Sequence, residues 1–120
     1  MEAKLSPLEI GRQLAQCNGS ATLSKHYSDS FLYTEGVFLM AEWCGAYWLL
    51  DDAGIQAVSL MNQSYFVRIE LVKKGDTCTV SYSDGNEKIL FQNEYWCSDF
   101  PLDNLVLYFT NDTLLLRSEY

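Results

Sequence analysis

Nucleophilic or acid–base catalysis would have to be built from one histidine, four cysteines and sixteen acidic residues. A Cys–His pair would have to use His26, and the sequence names no third group that would orient its imidazole. His26 lies in the polar stretch of residues 24–27, where a solvated surface histidine is the ordinary outcome. We therefore predict that His26 is not catalytic.

The adjacent carboxylates Asp51 and Asp52 follow an apolar run at residues 46–50. Such a pair could bind a divalent cation or act as acid and base. Side chains of neighbouring helical residues diverge by about 100°, so both carboxylates cannot easily face one ligand. Solvation of the pair at the surface is the favoured interpretation.

Phosphate-binding and glycosidase-type sites leave no recognisable pattern in this chain. The glycines are isolated, which argues against a phosphate loop or a dinucleotide-binding fingerprint. A glycosidase would need two carboxylates across a cleft, and the sequence does not choose a pair among its acids. We predict no catalytic residue, no metal site and no cofactor, and a protein that is not an enzyme.

The four cysteines, Cys17, Cys44, Cys78 and Cys97, are widely separated and form no CxxC pair. This spacing argues against a zinc knuckle and against a thioredoxin-type redox pair. An even number of cysteines would allow two disulfides, but a chain that is 48% hydrophobic does not need them for stability. We expect four free, mostly buried thiols.

The first seven residues lack the basic-then-apolar order of a signal peptide, and no apolar run is long enough to cross a bilayer. The expected location is the cytoplasm, where thiols stay reduced.

The first helix is predicted over about Pro7–Cys17. Ser6 supplies the N-cap and Glu9 completes an S-x-x-E capping box, with proline at the first helical position. Asn18-Gly19 should end the helix, since both residues tolerate a left-handed conformation. The apolar positions assigned to this helix are Leu5 and Ile10 as a hydrophobic staple, with Leu8, Ile10 (or Gly11) and Leu14 buried.

Two further helices should follow a polar, poorly periodic loop at residues 20–33 that ends in a short extended piece at 31–33. Thr34 is the N-cap of the second helix, which runs to Cys44 and ends at Gly45. The third helix covers Ala46 to about Leu60 and is broken or loosened near Gly54.

After Asn62 the apolar residues recur with a period of two, which predicts strands. Asp84-Gly85-Asn86 is a strong hairpin signal, and Asn111-Asp112 marks a second turn. The strands are expected at about 65–72, 78–82, 88–95, 105–110 and 113–117. The predicted fold is therefore α+β: one domain over residues 1–120, with N-terminal helices on one face of a four- or five-stranded antiparallel meander.

Aromatic residues form two groups that have two possible explanations, core packing or an interface hot spot. The first group is Trp43, Tyr47 and Trp48, and the second is Tyr95, Trp96 and Phe100.

A formal net charge of −8 argues against direct binding of nucleic acid or of an anionic membrane surface. A basic protein partner remains open, as does a charge that serves only solubility, and the oligomeric state is open too. Where acids stand next to aromatics, they could form a negative surface with apolar anchors. The candidate partner-binding residues are Glu35, Glu42, Trp43, Asp51, Asp52, Glu94, Trp96 and Asp99.

Four segments carry a resemblance to a family: residues 31–37 (FLYTEGV), 45–51 (GAYWLLD), 99–102 (DFPL) and 107–110 (LYFT). Together they resemble a family of uncharacterised small proteins from bacteria, plasmids and phages, over roughly residues 31–120. The resemblance supplies no catalytic residues. It implies a mobile-element context, in which small acidic proteins often bind host proteins, including as inhibitors of nucleic-acid-directed defence of the anti-CRISPR type.

The leading hypothesis is an acidic module that binds a basic, nucleic-acid-binding surface of another protein, such as a defence effector, and blocks it. The alternative is a small enzyme or ligand-binding domain with a pocket between helices and sheet. A plain oligomerising domain is the third possibility.

Overall fold

The computed structural model describes residues 6–17, 23–86 and 88–120. Within these residues the chain forms three α-helices, seven β-strands and one 3₁₀ helix. The helices are α1 (Pro7–Ala15), α2 (Glu35–Cys44) and α3 (Tyr47–Ser59), and the 3₁₀ helix is η1 (Arg117–Glu119). The strands are β1 (Leu23–Lys25), β2 (Leu32–Thr34), β3 (Phe66–Lys74), β4 (Thr77–Ser83), β5 (Ile89–Trp96), β6 (Asn104–Thr110) and β7 (Thr113–Leu116).

All seven strands belong to one sheet in the order β1-β2-β7-β6-β3-β4-β5. Neighbouring strands are antiparallel except β2 and β7, which run parallel with Leu32 opposite Thr113. The α+β class is thus confirmed, but the expected meander of four or five antiparallel strands is corrected to a mixed sheet of seven. Two of the additional pairings come from β1 and β2, which lie in the half of the chain expected to be mainly helical.

The sheet is not a simple meander because β6 pairs with β3 and not with the preceding strand β5. The connection must therefore cross the ends of β4 and β3. Lys73 holds it there, since its Nζ donates hydrogen bonds to the carbonyl oxygens of Ser98 at 3.2 Å and Phe100 at 2.6 Å. The backbone N–H of Lys73 also donates to the carbonyl of Asp103.

Helix α1 begins as its sequence predicts, with the Ser6 hydroxyl accepting a hydrogen bond from the N–H of Glu9. Ile10 and Leu14 are buried, whereas Leu8 is 73% exposed, so the prediction that Leu8 is a core residue is wrong. The expected staple through Leu5 and the expected stop at Asn18-Gly19 lie outside the described residues.

Helices α2 and α3 meet at Gly45, which adopts the left-handed conformation with φ 62° and ends α2. Thr34 caps α2 by accepting a hydrogen bond from the N–H of Val37, as predicted. The expected break near Gly54 is wrong, because α3 continues through it. A Cβ at Gly54 would lie 2.0 Å from the Phe31 ring, so this glycine makes room for an aromatic side chain.

The hydrophobic core lies between these helices and one face of the sheet. In β3 the residues Val67, Ile69 and Leu71 are buried, while the intervening residues are half-buried. The buried residues of α2 and α3 belong to the same core cluster, and they include Val37, Met40, Leu49, Ala53 and Ala57. One face of β3 is therefore covered by helices and the other is only partly exposed to solvent.

A carboxylate close to the end of η1 joins the sheet to α2. The Oε1 atom of Glu119 accepts hydrogen bonds from the Thr34 hydroxyl at 2.6 Å and from the N–H of Leu116 at 3.0 Å. A Cβ at Gly36 would meet this carboxylate at 2.7 Å. The negative charge at the start of α2 also favours the helix dipole.

Cys78 and Cys97 form a disulfide, which corrects the expectation of four free thiols. Cys78 lies in β4 opposite Tyr95, and Cys97 follows β5 by one residue, so strand pairing brings the two sulfurs together. Cys17 and Cys44 are free. None of the helices formed by the described residues is long and apolar enough to cross a membrane.

Candidate functional site

The most exposed apolar surface on the sheet lies along its edge strand, β5. This strand pairs with β4 and has no second strand neighbour among the described residues. Ile89 is 52% exposed, Phe91 is 37% exposed and Trp96 is 74% exposed. An open edge with exposed apolar side chains is a template for pairing with another chain.

The register of β5 places its aromatic residues on different faces of the sheet. Tyr95 lies opposite the buried Cys78, so it faces the helices, where its ring centroid is 5.1 Å from that of Trp48. Trp96 lies opposite Thr77 and therefore faces solvent on the outer side. Of the two explanations of the second aromatic group, core packing fits Tyr95, while Trp96 is free to contact a partner.

The aromatic group of residues 43–48 is more closely tied to the core. Trp43 and Trp48 are half-buried and pack against the core cluster. Tyr47 is exposed and donates a hydrogen bond of 2.5 Å to the Glu42 carboxylate. This hydrogen bond, with some burial, raises the pKa of Tyr47 to about 12. Glu42 and Trp43 therefore already have intramolecular contacts.

Asp51 and Asp52 diverge around α3. The Asp51 carboxylate is hydrogen-bonded to His26 and Tyr27 of the β1–β2 hairpin. Asp52 points towards the β5 side, where burial first and then the Asp52 carboxylate raise the pKa of Tyr95. The two carboxylates thus point in different directions, as helix geometry predicts, and they do not face one ligand.

The candidate partner-binding residues therefore fall into two sets. Near β5 lie Asp52, Glu94, Trp96 and Asp99, which we call the β5 edge surface. Glu35, at the start of α2, lies away from it, since α2 packs against β2 and β7. Glu42, Trp43 and Asp51 have the contacts described above.

Acidic residues surround the β5 edge surface. Glu94 lies on the outer face opposite Thr79, and Asp99 is exposed in the loop after β5. Asp76 and Asp84 stand at the two ends of β4. The basic residues at this edge include Lys88, directly before β5, and Lys73, whose ammonium is bonded to the carbonyls on both sides of Asp99. The charge of this edge is thus predominantly negative, which favours a basic partner.

A pocket of about 500 Å³ lies between α1, the start of β6 and η1. Gly11, which has no side chain, and the small Ala15 line it on the helix side, and a Cβ at Gly11 would have no atom within 4 Å. Arg117 and Asn104 supply polar groups at a mainly apolar wall. Pockets of this size accommodate small organic ligands.

His26 is buried, with 3% of its surface exposed, so the expectation of a solvated surface histidine is wrong. Its ring stacks on Phe31 and is hydrogen-bonded to Asp51 and Ser28. The polar residues around His26 in the sequence do not indicate that it is buried, because its hydrogen-bond partner Asp51 is 25 residues away. Among the described residues, no group of three or more His, Cys, Asp or Glu side chains could hold a metal ion.

Comparison with known proteins identifies one family model, described as a family of unknown function (DUF6876), that matches residues 8–120. No curated protein and no solved structure matches the chain.

Proposed function

Because the chain belongs to DUF6876, a family of unknown function, we propose its role from its own surface: it is an acidic module that binds a basic segment of another protein at the β5 edge surface. The observation that carries this proposal is the open edge of β5 beside a tryptophan that is 74% exposed. Exposed tryptophans are frequent energetic anchors of protein interfaces.

The edge of β5 supports binding by strand addition. An extended partner segment would pair with the outward N–H and C=O groups of β5, and its side chains would lie alternately on the two sheet faces. On the outer face, Trp96 and Glu94 would contact alternate residues of the segment. Lysine or arginine opposite Glu94 and an apolar residue opposite Trp96 is the pattern that fits best.

The net charge of −8 supports a role of charge in the rate at which the protein associates with a basic partner. Opposite charge accelerates encounter and orients the partners before close contact forms. A basic surface that normally binds nucleic acid would be blocked by such a partner. Our proposal is therefore an inhibitor of a nucleic-acid-binding defence effector, of the anti-CRISPR type, and not a protein that binds nucleic acid itself.

We place this module in the cytoplasm, and the disulfide makes that placement testable. Disulfides are rare in reducing compartments, so Cys78 and Cys97 should be thiols there if the protein resides in the cytoplasm. Trapping thiols with a maleimide in intact cells, before lysis, measures their state. Cys78 and Cys97 that are found oxidised although the thiols were trapped in intact cells would contradict this placement.

Reversing one charge on the β5 edge surface should slow association. With purified RNA-guided nuclease complexes as probes, Glu94→Lys should lower the association rate and flatten its salt dependence. Glu35→Lys is the matched control, since it makes the same charge change near α2 and should have little effect. Biolayer interferometry at several salt concentrations measures both. Equal effects of the two variants would contradict the location of the site.

Replacing Trp96 by alanine should reduce the affinity by at least about 2 kcal/mol while stability stays within about 0.5 kcal/mol. The control is Trp43→Ala, because the half-buried Trp43 packs against the core and its loss should cost about 2–3 kcal/mol of folding free energy. Urea denaturation and binding are measured on both variants. A Trp96→Ala protein that binds as tightly as the wild type would contradict the proposal that Trp96 contacts the partner.

The pocket beside α1 favours a second candidate, the binding of a small apolar anion. Arg117 would pair with the anionic group and the leucine-rich wall would bury the apolar part. The dye 1-anilinonaphthalene-8-sulfonate is a probe of this chemistry. Its fluorescence should rise with the wild type, and Gly11→Leu, which fills the pocket, should abolish the rise. Arg117→Gln should weaken dye binding, whereas Arg12→Gln, outside the pocket, should not.

A further inference from the structure

We propose that Ser28, His26 and Asp51 form a nucleophile–base–carboxylate relay, and that Ser28 Oγ accepts acyl groups from neutral or cationic esters. This site lies at the β1 side of the sheet, opposite β5, and the proposal goes beyond the binding function above. It rests on hydrogen-bond geometry, on burial of the base and on exposure of the nucleophile.

The three side chains have the spacing that an activated serine requires. The Ser28 hydroxyl lies 2.7 Å from Nδ1 of His26, and Nε2 of His26 lies 2.7 Å from Oδ1 of Asp51. A nucleophile within hydrogen-bond reach of a base, with the base oriented by a third group, is the signature of nucleophilic catalysis. Serine hydrolases on unrelated folds share this order of groups, with the two imidazole nitrogens exchanged: there Nε2 faces the serine and Nδ1 the carboxylate.

The backbone fixes which imidazole nitrogen acts as the base. The N–H of Ser28 donates to Nδ1 of His26 at 3.1 Å, which requires a lone pair on Nδ1. The proton of the neutral ring is therefore on Nε2 and is donated to Asp51. The lone pair of Nδ1 is shared between this N–H and the closer Ser28 hydroxyl, and it is the acceptor for the hydroxyl proton.

The β1–β2 hairpin holds this arrangement in place. His26 forms two backbone hydrogen bonds, from its N–H to the carbonyl of Phe31 and from the N–H of Asp29 to its own carbonyl. Its ring stacks on Phe31 with centroids 4.3 Å apart. Phe31 is itself seated against Gly54 of α3, the helix that carries Asp51. The base and its carboxylate are thus positioned by one packed unit.

Further hydroxyl groups extend the relay at both ends. The Ser30 hydroxyl lies 2.6 Å from Ser28 Oγ and can donate to it while the Ser28 proton points to His26. Tyr27 donates to Oδ2 of Asp51 at 3.3 Å, which leaves Oδ1 for His26. The nearby Asp51 carboxylate raises the pKa of Tyr27, so this hydroxyl remains a donor at neutral pH.

The proposed reaction is acyl transfer in two steps. Ser28 Oγ attacks the ester carbonyl carbon as its proton moves to Nδ1 of His26, and the C–O bond to the leaving alcohol breaks as that alcohol takes the proton. Water then attacks the acyl-serine by the same route and releases the carboxylic acid. Asp51 stabilises the imidazolium that forms in each step.

The surroundings limit the substrates. Ser28 is exposed, so the tetrahedral oxyanion is solvated largely by water, and reactive esters rather than amides should react. The Asp51 carboxylate, on the far side of the imidazole, disfavours anionic acyl groups, whereas the charge of Asp29 is offset by Lys25 at 2.8 Å. The exposed ring of Tyr27 offers an apolar contact for the acyl chain or leaving group.

The test is covalent labelling with a neutral fluorophosphonate, followed by peptide mass spectrometry. Modification should occur at Ser28 and should be lost in Ser28→Ala. Ser98 is the matched control, being an exposed serine outside the relay. Labelling of Ser28 no faster than that of Ser98 would overturn the proposal.

Variants of the other two residues distinguish a relay from an accessible serine. His26→Gln should slow labelling by at least about 100-fold and Asp51→Asn by at least about tenfold. Circular dichroism melts show whether each variant is folded. Because His26 is buried, the pH profile of wild-type labelling gives a readout that does not depend on a variant. The rate should rise as one group deprotonates, and a pH-independent rate would contradict base catalysis.

Discussion

Replacing Gly54 by alanine should destabilise the protein by about 3 kcal/mol, although the same exchange inside a helix normally stabilises it. The new Cβ would lie 2.0 Å from Cζ of Phe31, which is far inside van der Waals contact. Phe31 is 2% exposed and would have to leave its site, so most of the free energy gained from its burial would be lost. Urea denaturation measures the change.

The matched control for this prediction is Gly11→Ala. Gly11 also lies inside a helix, but a Cβ there would have open space around it. That variant should therefore be more stable by about 0.5–1 kcal/mol, as helix propensity predicts. A second variant, Gly54→Ala combined with Phe31→Leu, should recover part of the loss, because the smaller side chain leaves room. Gly54→Ala that stabilises as Gly11→Ala does would show that Phe31 moves aside at little cost.

Reduction of the Cys78–Cys97 disulfide should lower the free energy of unfolding by about 3 kcal/mol, on the loop-entropy estimate for a closure of this length. The two cysteines are 19 positions apart, so the closed loop is of moderate size. Urea denaturation with and without dithiothreitol measures the difference. A variant with both residues changed to alanine is the control and should not respond to dithiothreitol.

The number of reactive thiols gives an independent check of the same bond. Denatured protein that has not been reduced should show two thiols, from Cys17 and Cys44, and four after reduction. In the native protein Cys44 should react slowly, because burial raises its pKa to about 12 and little thiolate forms at neutral pH. Four reactive thiols without reductant would show that the disulfide is absent.

Local signals predicted the starts of two helices correctly. Ser6 and Thr34 cap α1 and α2 by hydrogen bonds that reach only three residues along the chain. Such contacts depend on neighbours in sequence, so the pattern of residue types is enough to identify them. The same holds for the β6–β7 turn, where Asn111 and Asp112 both adopt positive φ as a tight hairpin requires.

Strand pairings that leave no pattern of residue types are not predictable in this way. Strand β1 is exposed at all three positions, so it has no apolar alternation by which it could be recognised. Its pairing with β2 is stabilised by backbone hydrogen bonds. Such bonds do not depend on the side chains, so they leave no pattern in the sequence. The disulfide was missed for a similar reason, since the register of β4 and β5 decides which cysteines meet.

The candidate sites also combine features that the sequence predicts with contacts that it does not. Acidic and aromatic composition indicated a binding surface, but the register of β5 decides that Trp96 faces solvent and Tyr95 faces the core. The sequence marks His26 and Asp51 only as separate polar residues. Their contact depends on the β1–β2 hairpin reaching α3, which no local pattern encodes.

The parallel pairing of β2 with β7 has a consequence for how the protein acquires its fold during synthesis. Leu32 pairs with Thr113, so the two strands are 81 positions apart by subtraction. The β1–β2 hairpin therefore has no place in the sheet until residues 113–116 have emerged from the ribosome. Until then the apolar faces of α2 and α3 lack part of their cover, and exposed apolar faces of this kind make a partly folded chain prone to aggregation.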